Sequence, residues 1–150
     1  MYNGAVISYT PSPIALIKET ARILKKGGLI WFDALNPLGW AIEIQDPIIK
    51  ADIALEKEKL IKMDDWDYPA RIISLENMKD ILSKYNFKIK TIYGLMVLAH
   101  SLPLDYRYSN PYDIEIVKKY QKVELELSKR NDCIGSAWSY IICAELGNFT

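Results

Sequence analysis

The chain of 150 residues has no excess of charge of either sign. Its 19 lysines and arginines are balanced by 19 aspartates and glutamates. No overall positive field is therefore available to attract the phosphate backbone of a nucleic acid, and we expect no nucleic-acid partner. Half of the residues are hydrophobic and 25% are charged, which is typical of a globular protein rather than a disordered chain.

Cysteine and histidine are scarce. The two cysteines, Cys133 and Cys143, lie too far apart for a Cys-x-x-Cys pair and are predicted to be structural thiols. His100 is the only side chain with an ordinary pKa suited to general base catalysis, and we favour a surface position in a loop for it. The sequence has no Ser-His-Asp order, His-Glu-x-x-His motif or phosphate-binding loop, so covalent hydrolytic catalysis has no support.

Long apolar segments and a clustered metal-ligand set are also lacking. No apolar run approaches the ~20 residues needed to cross a bilayer, and residues 1–13 have no basic region before an apolar one. We expect a cytoplasmic protein without membrane contact. The acidic loop at residues 63–69 has three aspartates without a nearby histidine, which favours a solvated turn over a metal site.

The first thirty-five residues have the pattern of a strand, a helix and a second strand. Residues 4–9 form a short apolar run that predicts a strand buried on both faces. Ser12-Pro13 then predicts the start of a helix, and Gly27-Gly28 its end. Residues 29–32 are a second apolar run, closed by residues 33–37. Such a unit makes its strands parallel, so both should end at the sheet edge where α/β proteins bind ligands.

The rest of the chain reads as further elements of the same domain, which we expect to span residues 1–150. Residues 38–67 are expected to be an insertion or lid, with a charged helix that runs from residue 46 to about residue 62. A helix capped by Ser74 should follow. The alternating residues 87–93 predict an edge strand, and the apolar residues 137–144 predict a strand inside the sheet.

One segment carries a family resemblance. Residues 18–28 read Lys-Glu-Thr-Ala-Arg-Ile-Leu-Lys-Lys-Gly-Gly. They resemble the region between strands four and five of class I S-adenosylmethionine-dependent methyltransferases, where Leu-x-Glu-x-x-Arg-Val-Leu-Lys-Pro-Gly-Gly is typical and Lys26 here replaces the proline. The resemblance continues at residues 71–87, where Asn86 replaces a usual glycine, and at residues 136–144.

This resemblance implies an α/β fold that is a partial Rossmann-like methyltransferase fold. Its mixed sheet would correspond to family strands 4-5-7-6 with flanking helices, and S-adenosylmethionine would be the cofactor. The family's glycine-rich loop and the acidic residue of strand two precede the region matched, and no Gly-x-Gly occurs here. In the family, the loop and the acidic residue each supply charge-assisted hydrogen bonds to the cofactor, worth ~1.5 to 3 kcal/mol per set. Without them, we predict weak or absent cofactor binding by the isolated chain.

The resemblance also implies candidate site residues. Ser8 and Tyr9 would be cofactor-binding, and the substrate-binding residues would be Asn36, Pro37, Trp40, Tyr68 and Arg71. The residues alone allow other interpretations: Ser8 and Tyr9 could simply end a strand, and Asn36-Pro37 could simply form a turn. An arginine near a loop is often only solvated.

Three functions remain open. The first is methyl transfer to an unknown small molecule by positioning donor and acceptor, with the chain inactive without a cofactor-binding half. The second is a non-catalytic methyltransferase fragment that serves as a homo-oligomeric binding or assembly module. The third, a different doubly wound enzyme, is disfavoured by the Glu-x-x-Arg pattern. We expect a homodimer through an unpaired strand at residues 4–9, or a separate N-terminal methyltransferase half as partner.

Overall fold

The computed structural model describes residues 6–62, 69–98 and 114–147. Helices and strands alternate irregularly along the chain. The helices are α1 (Val6–Tyr9), α2 (Pro13–Ile23), α3 (Pro37–Glu43), α4 (Pro47–Leu55), α5 (Leu75–Lys84), α6 (Ile114–Leu127) and α7 (Asn131–Ile134). The strands are β1 (Leu29–Leu35), β2 (Glu58–Ile61), β3 (Ala70–Ile73), β4 (Phe87–Leu95) and β5 (Ser139–Leu146). None of the helices described is long and apolar enough to cross a membrane.

Helix boundaries follow the local signals in the sequence. The Ser12 side chain accepts a hydrogen bond from the Ala15 amide, and Asp46 accepts from two amides at the start of α4. Ser74 caps α5 in the same way. α2 ends at Ile23, earlier than the predicted stop at Gly27-Gly28, and Gly27, with a φ angle of 74°, lies in the turn that leads to β1. Asn86, with a φ angle of 62°, directly follows the C-cap of α5.

The described strands form one mixed sheet in the order β2-β3-β1-β5-β4. β1 is parallel to β3, whereas β5 is antiparallel to both β1 and β4. The predicted positions of two strands are confirmed, since β4 lies at an edge and β5 lies inside the sheet.

The prediction for residues 4–9 is wrong over the residues described, because Val6–Tyr9 is a single helical turn. Ile7 is fully buried, and the Ser8 hydroxyl accepts a hydrogen bond from the Leu35 amide of β1 at 3.0 Å. Beside β1, the place expected for this strand is taken by β3, through the pair Leu35 and Ile72. A run as short as residues 4–9 has no periodicity that separates a strand from a helix.

The helix expected to reach residue 62 is also shorter than predicted. It ends at Leu55, and β2 follows at Glu58–Ile61 and pairs antiparallel with β3. The Arg71 guanidinium contacts the Glu58 carboxylate at 2.7 Å across these strands. Tertiary pairing here outweighs the helix propensity of a Glu- and Lys-rich segment.

Each face of the sheet has its own apolar core. Ile7, Ile30 and Phe32 belong to the larger cluster, which α1, α2 and α5 cover. The smaller cluster lies under α3 and α4 and contains Leu35 and Trp40. Trp138 and Ile141 belong to the run predicted to form a strand inside the sheet, and both are only half-buried. The end of β1 lies where the two clusters meet.

Candidate functional site

The candidate site is the sheet edge at the end of β1, where α1, β3 and α3 come together. Parallel strands present their carboxyl ends at a common edge, and ligands of α/β proteins bind there. Contacts of α1 with β1 and β3 bring the predicted residues Ser8 and Tyr9 to this edge. Asn36 and Pro37 follow β1 directly.

Ser8 is part of the fold at this edge. Its side chain is buried, and the hydroxyl oxygen accepts a hydrogen bond from the Leu35 amide. That amide points away from β5 and needs an acceptor on its own side of β1. Ser8 therefore holds α1 to the end of β1, and its hydroxyl does not face solvent.

Tyr9 is the accessible member of the predicted pair, with 41% of its surface exposed. Partial burial, together with the negative charge of Asp33, raises the pKa of the Tyr9 phenol above its ordinary value. The phenol is therefore neutral at neutral pH and able both to donate and to accept a hydrogen bond. Asp33 was predicted only as a strand end, and its sequence signal was a carboxylate that closes an apolar strand.

Asn36 connects the end of β1 to the segment that precedes β5. Its side-chain amide donates hydrogen bonds to the carbonyl oxygens of Gly135 at 2.6 Å and Ala137 at 3.0 Å. Its backbone amide donates to the carbonyl oxygen of Trp138. Pro37 is fully buried at the first position of α3. Both residues thus fix the direction in which the chain leaves β1, and neither side chain is open to a substrate.

Trp40 was expected to form a wall of the substrate pocket, and the structure instead buries it. Only 5% of its surface is exposed, and its ring stacks on Trp138 with centroids 5.3 Å apart and planes at 27°. Such stacking adds to the apolar burial of both rings. Trp40 joins α3 to the residues before β5 and lies behind the edge rather than on it.

Arg71 binds neighbouring protein groups rather than reaching over the edge. Its guanidinium contacts Glu58 and also donates to the carbonyl oxygen of Pro11 at 3.3 Å. Asn77 of α5 donates to the other oxygen of Glu58 at 3.3 Å. The cluster ties β2 and β3 to the loop after α1 and to α5. Tyr68 and His100 lie outside the described residues.

The remaining features lie away from the predicted residues. A cleft of about 440 Å³ between α2 and α5 is lined by Lys18, Ala21, Arg22, Lys84 and Tyr85, none of which was predicted to be in the site. Both cysteines are free thiols, and burial raises the pKa of Cys143. In the ranges that the structure covers, no group of His, Cys, Asp and Glu side chains is arranged to hold a metal ion.

Comparison with known proteins gives matches at the level of structure only. No protein-family model and no curated protein matches the chain. An S-adenosylmethionine-dependent methyltransferase from Mesorhizobium loti superposes with a TM-score of 0.57 and 15% identity, over 93% of this chain and 57% of that one. A protein described as an S-adenosylmethionine-dependent methyltransferase from Listeria monocytogenes gives 0.54 and 16%, over 95% and 58%.

These similarities define the class of fold. The chain is a mixed α/β protein with the fold of part of these methyltransferases, and it spans somewhat more than half of their length. The expected fold class is therefore confirmed at this level. The observed strand order is not the simple 4-5-7-6 series, because β2 and β3 lie on the far side of β1.

The described residues do not by themselves fit S-adenosylmethionine. Its ribose, adenine and amino-acid groups all need hydrogen-bonding partners when they leave water. At the end of β1, the Ser8 hydroxyl and the Asn36 amide already bond to backbone groups. Of the predicted residues and their neighbours at this edge, Tyr9 is exposed and Asp33 is half-buried. Two side chains cannot supply a complete cofactor site.

Proposed function

We propose that this chain is the C-terminal part of a class I S-adenosylmethionine-dependent methyltransferase that acts on a small molecule. The shared fold, with a TM-score of 0.57 over 93% of the chain, is the observation that carries this proposal. The residues available at the end of β1 leave the larger share of the cofactor contacts to another segment or polypeptide. The chain alone is therefore expected to bind the cofactor weakly.

The motif behind the sequence resemblance has a clear structural role, which supports the proposal at the level of fold. Glu19 and Arg22 form an exposed ion pair on α2 with an N–O distance of 2.6 Å. Gly27 donates to the carbonyl oxygen of Leu146, and Leu146 donates to that of Gly28. The two glycines thus join the end of α2 to the end of β5. The glycine contacts have a structural role in the sheet, and the ion pair lies on the exposed side of α2.

Within this proposal, the site residues divide into two roles. Tyr9 and Asp33 contact the ligand, since both residues lie at the edge and keep part of their surface exposed. Ser8, Asn36 and Trp40 position the backbone behind them. The lid role of residues 38–67 stays a prediction, as does a substrate role for Tyr68.

A non-catalytic assembly module is the alternative function. It is favoured by one observation, namely that Ser8 and Asn36 use their polar groups to hold the fold together. A site in which most candidate side chains are structural has little chemistry left for catalysis. The same chain would then act through its surfaces rather than through a bound cofactor.

Titration of the chain with S-adenosylmethionine separates the two functions. We expect a dissociation constant in the millimolar range, because two sets of charge-assisted hydrogen bonds at ~1.5 to 3 kcal/mol each are missing. In NMR spectra, the shifted amides should be those of Tyr9, Asp33 and Asn36. Tyr9→Ala should weaken these shifts, whereas Tyr120→Ala on α6 serves as a control and should leave them unchanged.

Two results would count against the proposal. Micromolar affinity of the chain alone would mean that the cofactor site is complete without a further half. An absence of any shift at the end of β1 up to tens of millimolar ligand would mean that this edge does not bind the cofactor, and would favour the assembly module.

A further inference from the structure

The cleft between α2 and α5 has an apolar floor, formed by Ala21 and Tyr85. Ala21 of α2 is only 7% exposed, and Tyr85, at the end of α5, is half-buried and packs against the larger apolar cluster. The cleft above these residues has a volume of about 440 Å³. This volume lies within the range of about 300 to 1,000 Å³ that is usual for sites that bind small molecules.

The cleft lies at the opposite end of the sheet from the candidate site. Arg22 is in the last turn of α2, and Lys84 is in the last turn of α5. These turns lead to the first residues of β1 and β4, both of which pair with the end of β5. The candidate site lies at the other end of β1, so the two places on the molecule are separate.

The rim of the cleft is positively charged. Lys18 and Arg22 lie one turn apart on α2, and Lys84 of α5 also lines the cleft. None of the five lining residues is acidic. Arg22 is paired with Glu19 through two contacts of 2.6 and 2.8 Å. Neither lysine forms an ion pair within the described part of the chain, so the rim carries two unpaired positive charges.

The position of Lys18 is not explained by the needs of its own helix. Arg22 and Lys84 occupy last turns, where a cation interacts favourably with the helix dipole. Lys18 lies in the middle of α2, outside its last turn, and four residues from the like-charged Arg22. Like charges at this spacing repel each other on a helix. Helix electrostatics therefore do not favour a cation at this position, whereas an anion bound in the cleft would.

We propose that this cleft binds a small phosphate monoester with an aromatic or apolar body. A phosphate monoester carries a charge of about −1.5 to −2 at neutral pH, which matches the two unpaired lysines, whereas one carboxylate would leave one of them unbalanced. Lysine is a common phosphate-binding residue. The organic body contacts Ala21 and Tyr85, and an aromatic body gains from stacking on the tyrosine ring. This site does not depend on the proposed function, because none of its residues belongs to the end of β1.

Titration with phenyl phosphate, followed by NMR, tests the proposal. The shifted amides should be those of Ala21, Arg22 and Tyr85. Inorganic phosphate should bind more weakly because it has no body to contact the floor of the cleft. Benzoate should also bind more weakly, since its single charge leaves one lysine unbalanced.

A double variant, Lys18→Gln with Lys84→Gln, tests the role of the rim. The dissociation constant for phenyl phosphate should rise at least about tenfold, because each lysine contributes a charge-assisted contact. Lys50→Gln with Lys79→Gln is the matched control. It changes the net charge by the same amount at two exposed lysines outside the cleft, and it should leave the dissociation constant unchanged.

Four results would overturn the proposal. An absence of shifts at the cleft up to tens of millimolar phenyl phosphate would mean that it does not bind the ester. Shifts that follow exposed lysines throughout the chain, or an equal rise of the dissociation constant in both double variants, would mean that anions are attracted only by general charge. Equal affinities for phenyl phosphate and inorganic phosphate would mean that the floor contacts no organic body.

Discussion

Replacing Gly39 by alanine is expected to destabilise the protein by about 3 kcal/mol, at the upper end of the usual cost of overpacking. A Cβ atom at this position would overlap the carbonyl oxygen of Ala137 and lie 2.6 Å from the Trp138 Cα. Both are backbone atoms of the segment that leads into β5, so they cannot move aside as a flexible side chain would. The small gain in helix propensity, about 1 kcal/mol, does not compensate.

Urea unfolding measures this cost, and Gly135→Ala is its control. A Cβ atom at Gly135 has nothing within 4 Å, and its φ angle of −61° suits any residue. That variant should be unchanged or more stable by about 0.4 to 1 kcal/mol. Near-ultraviolet circular dichroism should show a loss of the Trp40–Trp138 stacking signal in Gly39→Ala only. Equal stability of the two variants would show that α3 does not pack on this backbone.

Features encoded by neighbouring residues could be predicted from the sequence. The caps at Ser12, Asp46 and Ser74 each involve an amide two or three residues away. The left-handed turns at Gly27 and Asn86 depend on a single residue's preference. Such signals are complete within one turn of chain, and the three predicted helix starts were confirmed, whereas α2 ends at Ile23, before the predicted stop at Gly27-Gly28.

The secondary structure of the shorter apolar segments could not be predicted in the same way. α1 and β3 are each four residues long, and their states depend on what they pack against. α1 depends on a hydrogen bond from Leu35, 27 positions away, and β3 depends on pairing with β2. Periodicity over four residues carries no comparable information.

The candidate site shows the same division. The sequence correctly placed Asn36 directly after β1, but not the carbonyl groups that its side chain binds 99 and 101 positions later. Trp40 similarly finds its partner Trp138 only through the fold. Whether a polar or aromatic residue at a strand end binds a ligand or stabilises the fold thus depends on distant residues. A single sequence does not reveal which residues those are.

Compared with phenylalanine at the same position, Tyr140 should stabilise the protein near neutral pH and destabilise it at alkaline pH. Tyr140 is fully buried on β5, and its hydroxyl donates to the carbonyl oxygen of Ile73 at 3.0 Å. Tyr140→Phe removes this hydrogen bond and should cost about 1 kcal/mol near neutral pH. Burial raises the pKa of Tyr140 far above its ordinary value, so the folded protein keeps the phenol protonated.

The sign of the pH effect follows from the unfolded chain. Once unfolded, the phenol ionises above its ordinary pKa of about 10, and the unfolded state then binds fewer protons than the folded state. The contribution of Tyr140 is therefore fully present below about pH 10 and falls by about 1.4 kcal/mol per pH unit above it. By about pH 11.5 the loss is about 2 kcal/mol, which exceeds the value of the hydrogen bond.

Unfolding by urea at several pH values should thus show wild type more stable than Tyr140→Phe up to about pH 10, and less stable by about 1 kcal/mol at about pH 11.5. Phe87→Leu alters another buried ring but retains Tyr140, so its difference from wild type should stay constant over the same range. A constant difference for Tyr140→Phe would mean that water reaches the phenol in the folded state. The hydroxyl would then ionise before the protein unfolds, and Tyr140 of β5 would not shield the carbonyl oxygen of Ile73 at the end of β3 from water.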